Sequence, residues 1–207
     1  MNRIDHAFPT GDLNVAGANV GTLEFFATTG CTRYAEIGVY KGDTVLGIAE
    51  ILAGQGAIHL FDFEDRVEAA VERLRKAGHQ NVVGHPNSRR LFDSYNWSLM
   101  HLLAAGESPA FDYVFLDGAH TWAFDALAFC LIDRLLCEGG FVDFDDYRWT
   151  IAGSPSMRPD VFPDVRHLYS DEQIETPQVR LVIDLLVRCH PGYEEIVPDK
   201  IFRKVAA

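Results

Sequence analysis

The sequence predicts an α/β domain: a doubly wound, mostly parallel sheet with helices on both faces and a C-terminal antiparallel hairpin. Three observations lead there. Apolar runs alternate five times with helix-period segments, and a strand pair follows them. The run Phe111-Asp112-Tyr113-Val114-Phe115-Leu116-Asp117-Gly118-Ala119-His120 reads as a buried strand. Its last residue, Asp117, emerges at the carboxyl end, where open α/β sheets bind ligands. A second such stretch is Gly140-Phe141-Val142-Asp143-Phe144-Asp145-Asp146-Tyr147. From Asp117 to Asp145 is 145 − 117 = 28 residues, room for one helix and a return strand. If the two strands are neighbours, they lie about 4.8 Å apart. Asp117, Asp145 and Asp146 then converge on one sheet edge. Like charges gathered so closely call for a cation or raised pKa values, so the three form a candidate Mg²⁺ site.

Taken in order, residues 1–12 are polar and expected to be irregular, and 14–29 mildly helical, with Val15, Val20, Leu23, Phe25 and Phe26. This leader helix either covers the sheet, the preferred reading, or packs beside a substrate pocket. Arg33 to Thr44 reads as strand and glycine turn, and Val45–Leu52 as helix. Gly38 and Gly42 let the backbone turn tightly and approach a ligand. Their G-x-x-x-G spacing departs from the dinucleotide G-x-G-x-x-G. Glu36 in the same strand end would repel a phosphate and suit a cationic amino group. Ala57–Asp62 is the second strand, and Asp62 either holds a ribose or caps the next helix, Asp65–Ala77. Asn81–His85 is the third strand; Pro86-Asn87-Ser88 leaves it as a bare turn or meets an adenine edge.

Residues 89–105 are expected to be helical, with Trp97, Leu99, Leu102 and Leu103 in the core. Thr121–Cys137 is an amphipathic helix with Phe124, Leu127, Leu131 and Leu135 inward; Gly139-Gly140 ends it and opens the fifth strand. Asp143, mid-strand, needs a partner if buried, and the sequence names none. Residues 148–173 form a long loop of the kind that serves as a lid. Trp149, Arg158 and Phe162 are lid candidates. Pro177–Cys189 is a helix, and Tyr193–Val197 and Ile201–Val205 are closing strands. The expected layout is one domain over 1–207: leader 1–30, core 31–149, substrate lid 150–173, and C-terminal helix and strands 174–207.

Composition sets bounds. With 207 residues, one domain is the default, and 48% hydrophobic content suits a globular core. A formal charge of −12 argues against nucleic acid and against an anionic membrane. Cys31, Cys130, Cys137 and Cys189 lack metal spacing, and Cys130 and Cys137 fall in a helical pattern. They are expected to be reduced and mostly buried. No signal core or membrane span is visible, so a soluble, cytoplasmic protein is expected.

Four motifs carry a family resemblance: Ala35-Glu36-Ile37-Gly38-Val39-Tyr40-Lys41-Gly42-Asp43-Thr44; the strand-closing Asp62; Phe115-Leu116-Asp117-Gly118-Ala119-His120; and Gly139-Gly140 leading to Asp145-Asp146-Tyr147. Together they resemble the class I S-adenosylmethionine-dependent methyltransferases, which have a Rossmann-like fold. The nearest likeness is to the metal-dependent O-methyltransferases, both the catechol type and the macrocin and natural-product sugar type. The resemblance covers about residues 31–149. It implies that Glu36, Gly38, Tyr40, Gly42 and Thr44 line the methionine half of the cofactor. Asp62 would take the ribose, Asn87 or Ser88 the adenine, and Asp117, Asp145 and Asp146 the metal. His120 falls where the catechol type has its catalytic lysine, and Asp143 where an aliphatic residue is usual. A two-copy assembly is expected by analogy with the fold.

The implied chemistry is Mg²⁺-assisted O-methylation of a small hydroxylated acceptor: a sugar, polyketide or phenol. His120 takes the hydroxyl proton, and Mg²⁺ lowers the hydroxyl pKa. Alternatives stand beside it. His120, Asp145 and Asp146 could be helix or turn caps, and Asp117 could serve the cofactor alone in a metal-independent methyltransferase. A nucleotide-dependent oxidoreductase and a non-catalytic binding protein share the fold.

Overall fold

The computed structural model describes residues 16–90 and 92–206. The expectation for residues 1–12, and Val15 as the start of the leader helix, lie outside them.

The strands are β1 (Arg33–Ile37), β2 (Ala57–Phe63), β3 (Val82–Asn87), β4 (Phe111–Leu116), β5 (Leu136–Phe144), β6 (Tyr193–Val197) and β7 (Ile201–Lys204). Their order is β3-β2-β1-β4-β5-β7-β6. β1 to β5 run parallel, and β7 pairs antiparallel with both β5 and β6. The doubly wound sheet with its closing hairpin is therefore as expected. The chain winds outward from β1 in one direction, then returns to start again at β4. That reversal opens a crevice between the carboxyl ends of β1 and β4.

The helices are α1 (Val20–Thr29), α2 (Asp43–Leu52), α3 (Glu64–Lys76), α4 (Tyr95–Ala104), α5 (Trp122–Leu135), α6 (Val165–Leu168), α7 (Asp171–Glu175) and α8 (Gln178–Val182), the last continued by a π-helical turn at Ile183–Val187. Strand side chains alternate between two cores. Tyr34, Tyr113 and Phe115 pack with α1, α2 and α3, while Ala35, Ile37, Val114 and Leu116 pack with α4, α5 and α8.

Several expectations are corrected. α4 begins at Tyr95, not near residue 89. The Ser88 backbone N–H and hydroxyl both donate to Asp93 Oδ2, at 2.8 and 2.5 Å, and Ser94 caps the helix. That local bonding holds the preceding stretch out of the helix. Tyr95, Leu99 and Leu102 then face inward, which leaves Trp97 60% exposed. On α5 the buried stripe is Ala128, Phe129, Ile132 and Leu135, and Leu127 points outward. Two apolar stripes compete there, and packing against α8 and the sheet selects one. β5 takes over at Leu136, so Cys137 lies in a strand. All four cysteines are free, but Cys130 and Cys189 are exposed and Cys31 and Cys137 only partly covered. The long loop holds α6 and α7 around a small core of Ile151, Val165 and Ile174. No described helix is long and apolar enough to cross a membrane.

Asp143 finds its partners across the fold. It is fully buried, and its Oδ2 accepts from Thr22 Oγ1 and Tyr113 OH, both at 2.7 Å. Lys200 Nζ lies 2.9 Å from Oδ1.

On the β2–β3 edge, His59 Nδ1 and His85 Nε2 are 2.9 Å apart in stacked rings. Burial lowers both imidazoles, His85 from 6.5 to about 4. At His85 the unfolded chain takes up a proton near pH 6.5 and the folded chain only near 4, so stability falls as pH drops through that window, and the lowered His59 acts in the same direction. Melting temperature against pH should therefore slope more steeply in the wild type than in His85→Phe. Equal slopes would rule out the pair as the source.

Candidate active site

The crevice at the switch point is set by one close approach. Gly38 follows β1 with φ +90°, and a Cβ there would stand 1.8 Å from the Asp117 carbonyl oxygen. Asp117 N–H donates to Ile37 O at 2.8 Å, and Gly38 N–H to Phe61 O at 2.9 Å. Only glycine lets the two turns meet in this way.

Asp62, at the end of β2, accepts from the Val39 and Tyr40 N–H groups at 2.9 Å each. Arg66 pairs with it at 3.3 Å. Its carboxylate therefore ties down the turn after β1. Gly42, with φ +72°, caps α2, and Thr44 Oγ1 accepts from Asn19 N–H at 3.0 Å, which seats α1 on the turn. Glu36 is 2% exposed and accepts from Tyr34 OH at 2.7 Å. Burial pushes its carboxyl well above the usual range.

A cavity of about 660 Å³ opens here, and its lining includes Gly38, Tyr40, Asp62, Asn87, Asp117 and His120. Trp149 and Ser154 to Met157, from the long loop after β5, also line it. Of the other expected residues, Glu36, Gly42, Thr44, Ser88, Asp145 and Asp146 are not part of that lining. Ser88 is occupied with Asp93. Asn87 donates to Ser88 O and Asp93 O at 3.2 Å each, and its buried Oδ1 has no partner among the described residues.

The acidic edge converges only in part. His120 Nε2 lies 2.9 Å from Asp117 Oδ1 and 3.5 Å from Asp146 Oδ2. One ligating atom from each of Asp117, His120 and Asp146 falls within 4.8 Å of the others. Asp145 lies 3.9 Å from Lys200 Nζ instead. Burial raises the Asp117 carboxyl to about 6, although the hydrogen bond from His120 pulls it down. Burial alone would lower the His120 imidazole, but the hydrogen bond and charge of Asp117 raise it. The two titrate as a coupled pair. Tyr40, His120 and Asp146 all hold positive φ without being glycine. Such strain persists only where the surroundings enforce it.

Sequence reasoning missed the support beneath His120. Tyr95 OH donates to the buried Asp125 at 2.6 Å and accepts from Ala119 N–H at 3.2 Å. An acid on the inward face of an apolar helix was the available signal.

A family model described as a methyltransferase domain matches residues 35–147. No curated protein matches the chain. Among solved structures, the O-methyltransferase TomG from Streptomyces achromogenes, in complex with SAM, aligns at TM-score 0.60 and 20% identity over 89% of this chain and 78% of that one. An O-methyltransferase from Bacillus cereus, in complex with SAH, aligns at 0.62 and 15% identity over 89% and 78%. At these identities the likeness concerns the fold.

Proposed function

Because the chain belongs to this family of methyltransferase domains, we propose that it methylates a hydroxyl oxygen of a small molecule with S-adenosylmethionine. The observation that carries the reading is His120, held by Asp117 on the wall of a cavity at the switch point. With Nε2 engaged by Asp117, Nδ1 is the ring atom left to take the hydroxyl proton. Asp117 orients the imidazole and stabilises its charged form. Trp149, 5.2 Å from the His120 ring, and Ser154 to Met157 line the same cavity and would shield the reacting atoms from water once an acceptor is bound. The nucleotide-dependent oxidoreductase gives way to the family assignment.

Two fit tests support the cofactors. The cavity has the size of a small-molecule site, and the partnerless Asn87 Oδ1 offers an acceptor to an exocyclic amine. Asp62 lines the same cavity, as a ribose partner must. Asp117 and Asp146 offer hard carboxylate oxygens beside the His120 base, donors that fit a divalent cation. When bound, such an ion would lower the pKa of an acceptor hydroxyl. A metal-free reading stands second, because His120 is already seated between two carboxylates. The acceptor is a sugar, polyketide or phenol; the four free thiols suit the cytoplasm.

Calorimetric titration with S-adenosylmethionine, repeated with Mg²⁺, tests this. Micromolar binding is expected, weakened about tenfold in Asn87→Ala by loss of one hydrogen bond. No cofactor heat would end the reading; cofactor heat without any Mg²⁺ signal would favour the metal-free form.

A further inference from the structure

A base must be held still, and His120 stands in a loop with no regular structure of its own. Residues 117–121 join β4 to α5, and His120 sits among them at φ +56°. A histidine keeps that left-handed conformation only where its surroundings enforce it. Asp117 ties the ring, at 2.9 Å. The backbone is tied from another element, α4.

Two consecutive side chains of α4 reach the first turn of α5. Asn96 Nδ2 donates to Phe124 O at 3.0 Å, and Tyr95 OH donates to Asp125 Oδ1 at 2.6 Å. The Tyr95 oxygen also accepts from Ala119 N–H at 3.2 Å. Gly118 admits this approach, since a Cβ there would stand 2.8 Å from the Tyr95 hydroxyl. Asp125 is buried, and its Oδ2 has no partner among the described residues. Burial raises its carboxyl, and the Tyr95 hydroxyl, the His120 charge and the Ala119 and His120 N–H groups work against that rise. An acid placed there costs stability, and apolar packing of α5 has no use for it. What it does is take the one proton of the Tyr95 hydroxyl, so that the phenol oxygen is left as an acceptor for the loop.

We propose that Tyr95 and Asp125 are positioning residues for methyl transfer: a brace that holds the backbone of residues 118–120 so that the His120 ring meets the acceptor in one orientation. The inference rests on the reading of His120 as the base. Tyr95 lines the cavity, but its hydroxyl is spent on Asp125 and Ala119 rather than on a ligand. A displacement of about 1 Å at a reacting group is enough to cost up to ~10²-fold in rate, so a brace one step behind the base governs turnover without touching substrate.

The test is nuclear magnetic resonance of the full chain, labelled with ¹⁵N-histidine and holding SAH, at a pH where the ring is neutral. His120→Gln assigns the His120 signals. Tyr95→Phe alone would strand a buried carboxylate, so the paired variant Tyr95→Phe/Asp125→Leu removes both partners together. The wild-type His120 ring should show one fixed tautomer, with its proton on Nε2 facing Asp117. In the paired variant the two ring nitrogens should average toward free imidazole. Asn96→Leu is the control: it removes the neighbouring bond between α4 and α5, and should lower the melting temperature without moving the His120 signals. With an acceptor found by screening, the paired variant should slow single-turnover transfer at least tenfold while SAH affinity changes less than threefold. Added to His120→Ala, it should cost less than twofold more, because no base is left to position. The proposal is overturned if the paired variant keeps the wild-type His120 signals, if Asn96→Leu shifts them as far, or if the two rate losses multiply. Unchanged signals beside a slow His120→Ala would remove the brace and leave His120 as the base. Transfer at the wild-type rate in His120→Ala would remove the base and the brace with it.

Discussion

His120→Ala should slow methyl transfer to a hydroxyl acceptor by ~10²–10⁴-fold, the usual contribution of a positioned base. S-adenosylmethionine affinity should change by no more than a few-fold, because the groups proposed to hold the adenosine, Asp62 and Asn87, belong to β2 and β3. Loss of rate with intact cofactor binding is the signature of a group that acts in the transition state. The geometry behind this is specific. The loop from Asp117 to Thr121 carries His120 at φ +56°, and Asp117 bonds its ring at 2.9 Å. Single-turnover rates with an acceptor found by screening, beside calorimetry of the same samples, separate the two effects. An unchanged rate would reduce His120 to a cap of α5. A rate loss matched by lost cofactor affinity would make it a binding residue.

Gly38→Ala should be severely destabilising, at about 4 kcal/mol or more. Its Cβ would lie 1.8 Å from the Asp117 carbonyl oxygen, in a backbone conformation with φ +90°. The neighbour is backbone at the end of β4, so no flexible side chain can swing away. Relief requires β1 and β4 to separate where they frame the crevice. A chain of this length should lose roughly 10 °C in melting temperature, and cofactor binding should fall with it. Gly54→Ala is the control: its φ is +82° but nothing lies within 4 Å of its Cβ. It should cost only the strain of the conformation. Equal losses at the two positions would mean that the contact with Asp117 contributes nothing.

The sequence by itself placed the carboxyl ends of β2 and β4 to within one residue, because a buried strand closed by an acid is a local signal; β3, expected to end at His85, runs on to Asn87. Asp62, Asp117 and His120 were legible for that reason, and so was the order of strand and helix. The reversal of strand order at β1 and β4 follows from connection rules once the elements are known. Other features depended on partners far away in the chain. Asp143 was visible as a misplaced acid, but Thr22 stands 121 residues from it, and no spacing rule connects them. The start of α4 was misread because a serine–aspartate bond outcompetes helix in a stretch whose composition favours helix. The choice of stripe on α5 was open because both stripes are apolar. Asp145 meets Lys200 only because the closing hairpin brings that turn alongside β5. Local periodicity specifies which elements form. Which charges meet is set only when those elements pack, since a carboxylate takes the partner that the fold delivers within about 3–4 Å.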